Sequence, residues 1–189
     1  MAFMPNFAAM SLSRWVFNKA GWKYEGGLPP GVRKCVLVAA PHTSNWDFVV
    51  ARLVFNFLGV NVRMLIKKEA FFWPFGYFLK KMGGLPIDRS KNNRAVDQIV
   101  ELFDKHDDLI ILFTPEGTRR YSPKWKRGFY FAAQEANVPI ILGYVDYGTK
   151  TGGIVQEAFK TTGDVDADIE RIKEFYKAYQ GYNPEWGVK

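Results

Sequence analysis

A histidine at position 42 is followed five residues later by an aspartate, in the run Pro41-His42-Thr43-Ser44-Asn45-Trp46-Asp47. These two residue types suit acid–base chemistry at a carbonyl carbon. An alcohol ionises far above neutrality, so it needs a base as it attacks, and imidazole titrates near neutral pH. A carboxylate on the other ring nitrogen fixes the tautomer and stabilises the imidazolium that forms. The chain has two histidines. The second, His106, lies in the charged run 104–108, where a solvated turn is expected. A surface histidine beside a helix-capping aspartate has the same spacing, so the pair needs support from elsewhere in the chain.

That support comes from Phe113-Thr114-Pro115-Glu116-Gly117-Thr118-Arg119-Arg120. Gly117 permits a tight turn. Arg119 and Arg120 offer forked donors that match phosphate oxygens. Glu116 either orients an acceptor hydroxyl or holds an arginine. Arg89, in Ile87-Asp88-Arg89-Ser90 after the pair Gly83-Gly84, is a further candidate phosphate contact, and Lys126, in Lys124-Trp125-Lys126-Arg127-Gly128, is a candidate for a phosphate or anionic head group. Each of these, taken alone, is also an ordinary solvated loop with surface ion pairs.

The elements that must position these residues are legible from apolar spacing. Residues 34–40 read as a buried strand, and 41–45 as a connection in which Ser44 or Asn45 caps the next helix. Residues 47–58 read as a helix closed by Gly59. A short strand is expected at 61–66, a helix at 69–82 broken at Pro74 and Gly76, and a strand or extended loop at 83–88. Residues 92–104 carry Ala95, Val96, Ile99, Val100 and Phe103 at helical spacing. A central strand follows at 109–113, a helix at 128–136, a strand at 139–145, an edge strand at 151–159 and a covering helix at 165–179. This alternation argues for an α/β layered fold, with a largely parallel or mixed central sheet and helices on both faces. In such sheets ligands bind beyond the carboxyl ends of the strands. Both polar runs, 42–47 and 116–120, follow strands at that edge.

Composition narrows the class. A length of 189 residues with 48% hydrophobic content fits one compact domain, 1–189, that buries a substantial core. A net charge of +7 calls for an anionic partner: membrane lipid, nucleic acid or a phosphorylated substrate. Aromatics at 16% favour a wet–apolar interface, hence a membrane surface over nucleic acid. No nucleic-acid-binding motif is present. The single cysteine, Cys35, forms no intrachain disulfide, which points to a reducing compartment. It lies in an apolar strand with nothing to lower its pKa, so it reads as buried and inert.

No apolar run reaches the ~18 residues that span a bilayer, and the N-terminus lacks the early positive charge of a signal peptide. The N-terminal segment 1–31 holds a helix at 11–22 that either lies in a membrane surface or packs on the domain. The stretch 70–79, rich in Phe, Trp and Tyr, is flanked by Lys67, Lys68, Lys80 and Lys81. It reads either as an interfacial anchor or as a core helix with a basic rim.

Taken together, the motifs resemble those of the glycerolipid acyltransferase family, typified by 1-acyl-glycerol-3-phosphate acyltransferases. The family's first block, His-x4-Asp, is matched by His42 and Asp47. Its second, a Gly-rich stretch ending in arginine, is matched from Gly83 to Arg89. Its third, Pro-Glu-Gly-Thr-Arg, is matched from Pro115 to Arg119, and its fourth by Val138-Pro139-Ile140. Lys126 and Gly128 correspond to a lysine and glycine after the third block. The blocks fall in the family's order over about residues 35–147.

The resemblance implies that His42, oriented by Asp47, deprotonates an acceptor hydroxyl, which attacks the thioester of acyl-CoA or acyl carrier protein. It implies that Arg89, Glu116, Gly117, Thr118, Arg119 and Lys126 bind substrate, chiefly the acceptor's polar head. The acceptor is a lysophospholipid-type lipid, by default 1-acyl-glycerol-3-phosphate. No metal and no cofactor beyond the acyl donor are expected, and the expected site of action is the cytoplasmic face of a membrane. A different lysolipid, such as an aminoacyl lipid, and a catalytically inactive lipid-binding module are the alternatives.

Overall fold

The inward-facing residues alternate along the strands, and this builds the molecule outward from its sheet. The computed structural model describes residue 15 and residues 17–88 and 92–189, with the backbone alone for 92–94. Its strands are β1 (Lys23–Gly26), β2 (Lys34–Ala39), β3 (Val62–Lys67), β4 (Gly84–Ile87), β5 (Leu109–Phe113), β6 (Ile140–Asp146) and β7 (Thr151–Phe159). Its helices are α1 (Trp46–Phe57), α2 (Phe75–Lys81), α3 (Asn92–Lys105), α4 (Gly128–Glu135) and α5 (Val165–Tyr176). Among the described residues the strands form one seven-stranded sheet in the order β1-β7-β6-β2-β5-β3-β4. All neighbours are parallel except β6 and β7, so five strands point one way and β1 and β7 the other.

Period-two alternation assigns the faces. Cys35 and Leu37 of β2, Ile110 of β5 and Ile141 of β6 pack with Phe55 of α1 and with Val62 of β3. Val36, Val38, Ile111, Ile140 and Leu142 face the other way, against Ile99 and Phe103 of α3, Phe129 of α4, and Ile169, Ile172 and Tyr176 of α5. The expected α/β layering with helices on both faces is what the chain adopts. Cys35 is fully buried, and burial pushes its thiol up to about 12, which leaves it inert.

Several boundaries differ from the sequence reading. Strand β7 is not a plain edge strand, because β1 pairs with Thr151–Ile154 and leaves only the far half of β7 at the edge. Strand β1 (Lys-Tyr-Glu-Gly) is exposed throughout, so it carries no apolar alternation to read. The helix expected at 69–82 divides into a 3-10 turn, Lys68–Ala70, and α2; it breaks at Pro74 as expected but runs through Gly76. The open choice at 83–88 resolves to a strand, β4. Helix α5 stops three residues short of the expected end at Tyr179, whose ring still stacks on Tyr144 at 4.2 Å. Of the N-terminal helix expected at 11–22, the described part is helical at Trp15 and at 17–19, and Phe17 packs on Phe57 with ring centroids 5.0 Å apart.

Candidate active site

Strands β2 and β5 are parallel neighbours, with Val38 opposite Phe113. The loops leaving their carboxyl ends therefore start side by side. One loop carries His42 and the other carries Glu116 to Arg119, so two runs far apart in sequence meet at one edge of the sheet.

The His42 side chain is mostly covered and that of Asp47 is buried. His42 Nδ1 lies 3.1 Å from Asp47 Oδ2. A carboxylate only accepts, so Nδ1 carries the proton and Nε2 is left as the basic atom. The same Oδ2 accepts the backbone amides of Thr43 at 2.7 Å and Ser44 at 2.8 Å. These bonds explain why a loop so short closes on the helix start: Asp47, one residue into α1, gathers the turn before it. The expected side-chain cap is absent at Asn45, which occupies the N-cap place without a capping bond. Ser44 Oγ accepts the Trp46 amide at 3.2 Å instead.

Glu116 takes a different place from either expected role. It is buried, and its carboxylate accepts the His42 amide at 3.0 and 3.2 Å rather than an arginine. Burial pushes this carboxyl up to about 7, and the Asp47 charge adds to the rise while the His42 amide and ring pull it back. Glu116 is thus a tie between the two loops, placed behind the histidine rather than in the cavity. Gly117 then turns the chain with φ 67°, where a Cβ would press on the Lys126 stem at 3.3 Å. The Lys126 amide donates to Pro115 carbonyl at 2.7 Å, which binds the basic run to the turn.

A cavity of about 1200 Å³ opens beside the pair. His42, Gly117, Thr118, Arg119 and Lys126 line its polar part, and Leu65, Ile87, Val96, Ile99, Leu112 and Phe129 line its apolar part. The structure therefore brings together six of the eight expected site residues around one space: His42, Asp47, Gly117, Thr118, Arg119 and Lys126. Glu116 stands just behind it, and Arg89 lies outside the described residues. Among the described residues no group of acidic, histidine and cysteine side chains has metal-binding arrangement.

Sequence reasoning missed two supports. Asn183 donates its amide to Thr43 Oγ1 at 3.1 Å and its Nδ2 to Thr43 carbonyl at 2.8 Å. Tyr147, just past β6, buries its hydroxyl beside the Asp47 carboxylate. Burial and then the Asp47 carboxylate hold this phenol above its usual range. No local pattern marks either residue, because both act on positions far away in sequence.

Residues 28–142 match the acyltransferase family, and the chain belongs to it. A search of curated protein sequences finds no match. Among solved structures, the chain is similar to the 1-acyl-sn-glycerophosphate acyltransferase PlsC from Thermotoga maritima. The two share 17% identity and a TM-score of 0.58, over 91% of this chain and 79% of that one. At that identity the likeness concerns the fold.

Proposed function

We propose that this acyltransferase moves a fatty acyl group from acyl-CoA or acyl carrier protein to the hydroxyl of a lysophospholipid-type acceptor, by default 1-acyl-glycerol-3-phosphate. The observation that carries this reading is the His42–Asp47 pair at the junction of a cationic turn and an apolar recess. A fatty acyl donor needs apolar walls, a phosphorylated acceptor needs cations, and the reaction needs a base between them.

The steps balance with this chain's own groups. His42 Nε2 takes the proton of the acceptor hydroxyl as that oxygen bonds to the thioester carbonyl carbon. The tetrahedral intermediate then collapses, the carbon–sulfur bond breaks, and the leaving thiolate takes the proton from the imidazolium. Asp47 holds the ring and stabilises its charged form between these steps. Arg119 and Lys126, with the turn at Gly117 and Thr118, hold the acceptor's polar head; Arg89 joins them by its place in the family's second motif. No metal enters these steps.

The lipid partner also accounts for apolar surface left outside. Phe72, Trp73, Phe75, Tyr77 and Phe78 are all exposed, between Lys67, Lys68, Lys80 and Lys81. This supports the interfacial-anchor reading over a core helix, with the protein docked at the cytoplasmic face of a membrane, where its acyl donors are available. No described helix is long and apolar enough to cross a membrane.

An acceptor panel tests the function: purified protein, labelled acyl-CoA or acyl carrier protein, and lysolipids with phosphate or amino-acid head groups. The expected product is a diacyl lipid from the phosphate-bearing acceptor. Transfer only to an amino-acid lysolipid would reassign the acceptor, and folded protein that acylates none of them from either donor would refute the reading.

A further inference from the structure

The C-terminal residues lie beyond the part of the chain that matches the family, yet they reach the catalytic loop. After α5 the chain turns back along the carboxyl edge of the sheet. Tyr176, fully buried, places its hydroxyl between the carbonyls of Val38 at 2.7 Å and Gly143 at 3.0 Å. The Gln180 amide donates to Asp146 Oδ1 at 2.9 Å, and the Tyr147 amide donates to Gln180 carbonyl at 2.9 Å. The segment is thereby fastened to the ends of β2 and β6 before it meets the loop.

There it surrounds Thr43, the residue next to the catalytic histidine. Thr43 is 1% exposed. Its amide is held by Asp47, its hydroxyl oxygen by the Asn183 amide and its carbonyl by Asn183 Nδ2. Gly181 closes the remaining side: a Cβ there would sit 2.7 Å from both Thr43 Cγ2 and Oγ1. A residue gripped at its amide, carbonyl and side chain has both flanking peptide units fixed, and the adjoining His42 inherits that orientation.

We propose that the C-terminal segment is a working part of the active site, with Asn183 as a positioning residue that fixes the backbone from which His42 meets Asp47. This rests on the function proposed above for the His42–Asp47 pair. Asn183 touches no reacting atom; it acts through Thr43. Small displacements of a catalytic group carry large rate penalties, so a loosened Thr43 lowers turnover more than it lowers affinity. Because the contact joins positions 140 apart in sequence, the site is complete only when the C-terminal segment is docked.

The test compares the wild type with Asn183→Ala and Gly181→Ala. Asn183→Ala removes one donor to Thr43 while keeping the backbone bond; Gly181→Ala pushes on Thr43 without removing any donor. Two readouts are needed. Steady-state kinetics should show kcat reduced about ten-fold, with KM for both substrates within about two-fold. Proton exchange in protein with isotope-labelled histidine should show the His42 Nδ1 proton exchanging about ten-fold faster than in wild type, while His106, whose Nδ1 faces Leu102 carbonyl at 2.8 Å, is unchanged. Unchanged exchange at His42 in both folded variants overturns the proposal, and so does an unchanged kcat in protein that turns over. Exchange is read without substrate, so it decides the positioning role even if the wild type transfers no acyl group, an outcome that counts only against the proposed reaction.

Discussion

Two regions leave the same edge of the sheet and are built on opposite rules. The loop from His42 to Asp47 buries polar groups, and most are bonded: Asp47 is 6% exposed and gathers three donors on one oxygen. The segment from Phe72 to Phe78 follows β3 and leaves apolar rings in solvent: Trp73 is 89% exposed. In the first, unpaired polar atoms would be costly, so hydrogen bonds specify one geometry. In the second, exposed rings meet one another and a lysine: Phe72 lies against Phe75 at 5.3 Å, and Lys81 Nζ sits 5.4 Å from the Tyr77 ring. The difference fits the two tasks proposed above. Chemistry needs a rigid arrangement, and attachment to a lipid surface needs apolar side chains free to enter it, with cations at the rim.

Substitutions that respect this division should separate the two tasks. The largest effect belongs to the bonded loop. Asp47→Asn should lower kcat by about 10³-fold or more, since the amide favours the wrong histidine tautomer; stopped assays with labelled donor measure it, and vesicle binding should not change. A loss of both together would erase the distinction. The double variant Phe72→Ser/Trp73→Ser should do the reverse. Binding to anionic phospholipid vesicles, followed by sedimentation, should weaken at least ten-fold, while turnover of a water-soluble short-chain pair of substrates stays within about two-fold. Binding that persists, or that ignores lipid charge, would remove the docking role from this segment.

Smaller effects sharpen the polar side. Arg119→Ala should raise KM for a phosphorylated acceptor about ten-fold, with KM for the acyl donor little changed; equal effects on both would withdraw the head-group role. Glu116→Gln acts on stability. The Glu116 carboxyl is raised to about 7 by burial, so the native state holds its proton more tightly than the unfolded chain does. Native stability is then full below the ordinary carboxylate range and falls as pH rises towards about 7, where the buried group must ionise. Thermal melts of wild type should lose a few °C on going from pH 5 to 8, and Glu116→Gln should lose less. Identical slopes would mean that Glu116 does not titrate in that range.

Much of this division was legible from the residues themselves. His42, Asp47 and the Gly117 to Arg119 turn stand in short runs whose types name their chemistry, and the strand before each run is a clear apolar stretch. The sheet could be read for the same reason, since β2, β5 and β6 are buried on both faces. Strand β1 was not legible, because an exposed edge strand pairs through its backbone and shows no pattern. The role of Glu116 was misread because a carboxylate beside arginines looks like their partner; only the parallel register of β2 and β5 aims it at His42. Asn183 was beyond reach, because an asparagine in a polar tail has no local signature. For the segment 70–79, apolar rings on every side of the sequence pattern suit a core and an interface alike, and the exposure of five of them could not be read from the spacing.

The most direct measurement compares wild type with His42→Ala in transfer of a labelled acyl group to a lysolipid. The two proteins should have matching thermal melts and matching vesicle binding. If the imidazole is the base, the wild type yields diacyl product and the variant does so at a rate at least about 10³-fold lower. Comparable product formation by both would contradict that role, since the imidazole held by Asp47 would then have no part in the reaction.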